Sequence, residues 1–174
     1  GLYEKELADL FWEYGEERFA KKFAREIVKA RELERISSSR QLAELVRKAF
    51  PGYENGRLHP ATRIFMALRI AVNDELENLK SALPRAGRLL STPREEKSGI
   101  DRNTGSLSLP GGRMVVISFH SLEDKIVKEF AQGAQPQHYS LQEVLKKPLE
   151  PSPEELVQNP SARSAKLRVL ERIA

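Results

Sequence analysis

The sequence predicts a helix-rich α/β protein, and three observations carry that reading. The run from Met114 to Phe119 is apolar, largely β-branched and uncharged, the pattern of a strand buried on both faces as in parallel sheets. The first half of the chain repeats apolar residues at helical spacing over several successive segments. Near the end, Ala165 to Ile173 alternates apolar and basic residues, the period of a half-buried strand.

At 174 residues the chain can form one domain or two small ones with a real core. Cysteine is absent, which excludes disulfides, thiolate metal sites and cysteine nucleophiles and fits a reducing compartment. The three histidines, His59, His120 and His138, lack ligand spacing, so no metal site is expected. No apolar run approaches the roughly 20 residues that span a bilayer, and no signal-peptide pattern opens the chain. The expectation is a soluble cytoplasmic protein without a membrane partner, an organelle matrix being the alternative. A net charge of +4 permits a phosphate-rich partner without demanding one.

Leu7, Leu10, Phe11 and Tyr14 mark a first amphipathic helix, closed by Gly15 as a C-cap. Phe19, Phe23, Ile27 and Ala30 mark a second, whose other face carries Arg18, Lys21, Lys22, Arg25 and Lys29. That basic row reads as a solvated face or as a phosphate contact. Ser37 to Ser39 offer caps for a third helix through Leu42, Leu45, Val46 and Phe50, stopped by Pro51-Gly52. From Pro60 a long helix follows, with Phe65, Leu68, Val72, Leu76, Leu79 and Leu83 as its apolar stripe and Pro84 as its interruption or end. Thr62, Met66, Arg69 and Asn73 form a second row on adjacent turns, with His59 just ahead. Such a row either satisfies neighbouring backbone or forms a polar wall in which asparagine holds a base edge and arginine a phosphate. Residues 91–108, rich in Ser, Thr, Gly and charge, read as a flexible loop.

Pro110-Gly111-Gly112 is a turn leading into the strand at Met114. The strand ends at Ser118-Phe119-His120-Ser121, where Ser121 and Asp124 have the spacing of a helix start, followed by Leu122, Ile126, Val127 and Phe130 at helical intervals. A strand thus carries Ser118, His120 and Ser121 to a helix N-terminus, the edge at which open α/β sheets bind ligands. Beyond Ala131 a strand is expected around Val144 and Leu145, and PLEPSPEEL reads as a turn with a short helical start. The last strand is expected at or next to a sheet edge, with Leu167 and Val169 inward and Lys166 and Arg168 outward.

The stretch PGGRMVVISFHSLED resembles the fifth strand of a class I methyltransferase sheet and, more narrowly, the VISFHSLED signature of the RsmH (MraW) family. Three further stretches are similar to the same family: Phe11 to Lys22; His59-Pro60-Ala61-Thr62-Arg63 with Ala67 to Leu76; and Asn159-Pro160 with Ala162 to Val169. The resemblance implies transfer of a methyl group from S-adenosylmethionine to the N4 of a cytidine in 16S rRNA of the small ribosomal subunit. It implies an inserted all-α substrate domain plus the C-terminal part of a class I, Rossmann-like sheet. The corresponding divisions are 1–58 for the helical recognition domain, 59–90 for a long connecting helix, 91–109 for an inserted loop and 110–174 for the sheet part.

From placement alone, Ser118, His120 and Asp124 are candidate catalytic residues, His120 accepting the amino proton through water and Ser118 or Asp124 orienting the base. His59, Thr62, Arg63, Arg69, Asn73 and Ser121 are candidate substrate contacts, and Arg163, Lys166 and Arg168 a candidate RNA-binding rim. Met66 stands where the family usually has glutamine. No glycine-rich turn of the cofactor-binding kind is present, so the donor's contacts are expected upstream of Gly1 and no cofactor-binding residue is assigned. Without neighbours for its buried strand, the chain is expected to be poorly folded, swapped or oligomeric, a homodimer being one such state. The other readings are an inactive truncated relative that binds RNA or protein, and a helical scaffold.

Overall fold

The computed structural model describes residues 1–49, 59, 61–96, 107–133 and 139–173. The chain divides into two units, Gly1–Glu75 and Leu76–Ala174. Phe50, Pro51, Gly52, Pro60 and most of the 91–108 stretch lie outside the described residues.

The first unit is helical: α1 (Glu4–Gly15), α2 (Ala20–Leu33), α3 (Ser39–Ala49) and α4 (Ala61–Asn73). Phe11, Phe23, Val46 and Ile64 are fully buried at its centre, with Leu7 and Ile27 beside them. Helix α3 starts with a reciprocal cap, in which Gln41 N donates to Ser38 Oγ at 3.2 Å and Ser38 N to Gln41 Oε1 at 3.1 Å. Helix α1 ends one residue later than the glycine suggested. Glu16 takes the left-handed conformation at φ 47° and Glu17 N donates back to Phe11 O at 3.2 Å. Gly15 serves packing instead, because a Cβ there would stand 2.9 Å from Arg63 O and 3.3 Å from Ala67 Cβ.

That close approach decides which face of α4 is inside. The expected stripe of Phe65, Leu68 and Val72 is replaced by Ala61, Ile64, Ala67 and Ile70. Small residues let two backbones meet where bulky ones would hold them apart, so Phe65 and Leu68 are only partly buried and Val72 is exposed. The expected single long helix is also corrected. Asp74 at φ 52° closes α4, and α5 (Glu75–Leu89) begins afresh, continuing through Pro84 rather than stopping there.

The second unit packs α5 and α6 (Ser121–Ala131) on one face of a three-stranded sheet. Its strands are β3 (Arg113–Ser118), β4 (Leu141–Glu143) and β5 (Lys166–Arg172), all antiparallel and in the order β3-β5-β4. Before them β1 (Arg94–Glu96) pairs with β2 (Leu107–Leu109), so the ends of the expected loop form a small hairpin. Helix α7 (Pro153–Gln158), capped by Ser152, and a 3₁₀ turn (Pro160–Ser164) lead into β5. The core joins Leu83, Val127, Phe130, Tyr139, Leu141 and Leu170. Tyr139 fixes α5 by donating to Pro84 O at 3.0 Å across Gly87, where a Cβ would meet the phenol at 2.7 Å.

Three strand expectations are corrected. β3 is not buried on both faces: Met114 and Val116 face the core, while Val115 and Ile117 are 58% and 55% exposed. β4 precedes Val144 and Leu145 instead of containing them. β5 lies next to an edge strand as expected, but its inner face is the one bearing Arg168 and Leu170. The period of two was read correctly and the face inverted, because Arg168 meets carboxylates beneath the sheet. Val115 opposite Val169 and Ile117 opposite Leu167 then form the outer face, with Leu149 bridged to Leu167.

Candidate functional site at the end of strand β3

β3 delivers its last residue, Ser118, to a buried position where its Oγ donates to Lys166 O at 3.4 Å. The start of α6 differs from the expected Ser121–Asp124 cap. His120 is the N-cap: its Nδ1 accepts from Glu123 N at 3.3 Å, while Glu123 Oε2 accepts from Phe119 N at 2.8 Å and His120 N at 3.3 Å. A neutral imidazole accepting at Nδ1 carries its proton on Nε2. Nε2 is buried, lies 3.3 Å from Glu123 Oε1 and lacks the alignment of a hydrogen bond. Burial raises the Glu123 pKa, but the adjacent imidazole and the Phe119 amide outweigh it and hold the carboxyl below its ordinary value.

Asp124, released from capping, points under the sheet. Its Oδ1 accepts from Arg168 Nε at 2.7 Å and its Oδ2 from Arg168 Nη2 at 3.2 Å, the two-point geometry that guanidinium and carboxylate favour. Lys166 Nζ adds a contact at 3.3 Å, and Glu143 Oε1 accepts from Arg168 Nη1 at 2.7 Å. The hydrogen bonds from Arg168 outweigh desolvation and hold the Asp124 carboxyl below its usual range; the same bonds raise the Arg168 pKa. Arg168 is therefore no part of a rim, being only 7% exposed. Lys166 is partly exposed and Arg163, in the 3₁₀ turn, is exposed.

The remaining candidates belong to the first unit. Exposed His59 caps α4 through Nδ1, which accepts from Ala61 N at 3.1 Å. Thr62 is exposed, and Arg63 donates through Nη1 to Glu16 O at 2.7 Å, tying α4 to the end of α1. Arg69 and Asn73 converge on one carboxylate: Glu75 accepts from Arg69 Nε at 2.8 Å, Arg69 Nη2 at 3.1 Å and Asn73 Nδ2 at 3.1 Å. The row thus satisfies a side chain rather than backbone. Sequence reasoning missed Glu75, Glu123 and Glu143. Only Glu123 carried a readable signal, three residues after His120 in the spacing of a reciprocal cap.

Helices followed by an open antiparallel sheet, with polar residues gathered where a strand turns into a helix, define a helix-rich α/β protein with a candidate ligand edge. The chain matches the MraW methylase family over residues 1–95 and 97–173, and it belongs to that family. It is 48% identical over 173 residues to the ribosomal RNA small subunit methyltransferase H of Deinococcus radiodurans, covering 99% of this chain and 48% of the relative. The proteins of the same name from Coprothermobacter proteolyticus and a Cyanothece species are 45% and 47% identical. Those matches cover 98% and 97% of this chain and 50% and 49% of the relatives. The chain spans about half the length of the curated relatives it matches. Among the described residues no helix is long and apolar enough to cross a membrane.

Proposed function

We propose that this chain supplies the substrate-recognition helices and the last strands of the sheet of an S-adenosylmethionine-dependent enzyme that methylates the N4 of a cytidine in 16S rRNA. The family match along nearly the whole chain carries this reading. Its division of labour is supported by β3, whose outer edge has no strand partner among the described residues and whose outer face is apolar and uncovered. Such a strand is in the condition of one that continues into a larger sheet. In this reading the small first unit is the inserted domain and the missing strands belong to the other half of the relatives' length.

Among the described residues, none is assigned to the methyl donor in this reading. A class I sheet holds a nucleoside cofactor at a glycine-rich strand-to-helix turn, whereas the turn after β3 has no glycine and its imidazole caps α6. Gly111 and Gly112 precede β3 and are closed off by other backbone: a Cβ on Gly111 would collide with Arg172 O. This chain's share is binding and positioning. In the first unit His59, Thr62, Arg63, Arg69 and Asn73 are the RNA contacts of this reading; in the second, taken by itself, exposed Arg163 and partly exposed Lys166 are its cations. Ser118 and Ser121 orient the base. His120 can take the amino proton at Nδ1 only by releasing its bond from Glu123 N. Asp124, consumed by Arg168 and Lys166, positions α6 against β5.

The test is methyl transfer to small-subunit rRNA by the chain alone and by the chain mixed with the unmatched half of the D. radiodurans relative. Transfer is expected only in the mixture, and calorimetry should find no binding of S-adenosylmethionine to the chain alone. Micromolar binding by the chain alone overturns the account of the donor site. A stable mixture that binds rRNA without transferring methyl supports the second reading, a binding module, which the full engagement of Asp124 favours.

A further inference from the structure

Where α1 meets the start of α2, a cavity of about 560 Å³ opens beside two exposed aromatic rings. Its lining comprises Trp12, Phe19, Arg18, Lys21, Lys22 and Asp9, with Ala8 and Ala20 at its floor. Trp12 is 62% exposed and Phe19 36%. The turn that carries Arg18 and Phe19 is fixed from below. Glu17 is fully buried and its Oε1 accepts from Phe19 N at 2.9 Å, while the left-handed Glu16 reverses the chain. A pocket of this size lies within the range of small-ligand sites.

We propose that this cavity is a single-stranded RNA subsite that takes one unstacked base against Trp12 and Phe19 and the adjoining phosphates on Arg18, Lys21 and Lys22. The inference rests on the rRNA reading above and names a contact which that reading did not assign. Exposed aromatics attract bases because every base offers a π-face, and flanking cations track the backbone in a sequence-tolerant way. Charge complementarity selects the polyanion. Among the described residues neither Arg18 nor Lys21 has an ion-pair partner, whereas Arg25 and Lys29, further along α2, face Glu26. Asp9 is the one carboxylate in the lining. Its negative charge repels phosphate at its own end, and as an acceptor it suits the exocyclic amino group of a base.

Trp12 is the only tryptophan, so its fluorescence reports on the pocket directly. Titrating a single-stranded oligocytidylate into the 174-residue chain should quench it. The affinity, read by anisotropy of a labelled oligonucleotide, should fall about tenfold in Trp12→Ala and recover in Trp12→Phe. In Arg18→Gln/Lys21→Gln the salt dependence should shallow by about 1.4 in log–log slope. Binding without quenching, unchanged in Trp12→Ala, overturns the proposal while leaving an RNA-binding methyltransferase intact. Quenching in a mixture of halves that never transfers methyl supports the pocket and removes the enzyme reading instead. A duplex that binds as well as the single strand, or an acidic peptide that quenches equally, overturns the base-stacking assignment.

Discussion

The two units differ in how completely they close on themselves. In the first, four helices surround one core, and Phe11, Phe23 and Ile64 are wholly out of solvent. In the second, helices cover only one face of the sheet, and the outer face presents Val115 and Ile117 to water, with Leu149 and Val144 also exposed. A sheet with one bare apolar face and, among the described residues, an unpaired edge has the composition of an interior without the neighbours that make it one. The first unit is built to stand alone and the second to be completed.

The largest effect that separates them comes from the closed core. Phe11→Ala should destabilise the helical unit by about 4 kcal/mol through lost burial and an unfilled cavity, seen as a lower midpoint in helical ellipticity. An effect under 1 kcal/mol would mean that the first unit is packed as loosely as the outer sheet face.

A smaller effect tests what holds the second unit in place of a second apolar layer. Asp124→Asn leaves Arg168 buried beside Glu143 alone and should cost about 3 kcal/mol. The acid response follows from the direction of the shift. Because Arg168 and Lys166 keep the folded pKa of Asp124 below its unfolded value, the stabilisation is fully present above about pH 4 and is lost as the pH falls through the lower folded value. Urea midpoints of the wild type should therefore fall in acid more steeply than those of Asp124→Asn. Parallel falls would show that the ion pair does not govern the acid limb.

Much of this was legible in the sequence wherever local rules decide. The helices over 4–15, 20–33 and 39–49, the α6 span and the alternation in β5 all follow from periodicity and caps. What was illegible depends on partners far along the chain. Nothing near Arg168 says that a carboxylate 44 residues earlier waits beneath the sheet, so a basic residue in a strand reads as outward. Nothing near Phe65 says that Gly15 will draw two helices close enough to prefer alanine. In the candidate site, the Ser118 edge was readable from strand followed by cap. The cap itself was misassigned, because His120 does with a ring nitrogen what serine usually does with a hydroxyl.

The smallest expected effect on stability is the sharpest test of the contrast. Ile117→Thr keeps a β-branched residue in β3 and, at 55% exposure, removes little buried area, so the unfolding midpoint of the isolated chain should move by no more than about 0.5 kcal/mol. Its consequence should appear in association. If the outer face is covered by a layer from the other half of the relatives' length, the substitution should weaken capture of the complementary half of a relative while leaving the helicity of the chain untouched. If instead two copies cover each other's faces, the sedimentation coefficient of the wild type should exceed that of a monomer and Ile117→Thr should lower it. A change in neither assay, with a midpoint loss above 2 kcal/mol, would mean that Ile117 is buried within its own unit. The open face would then be closed, and the contrast between the two halves of the molecule would disappear with it.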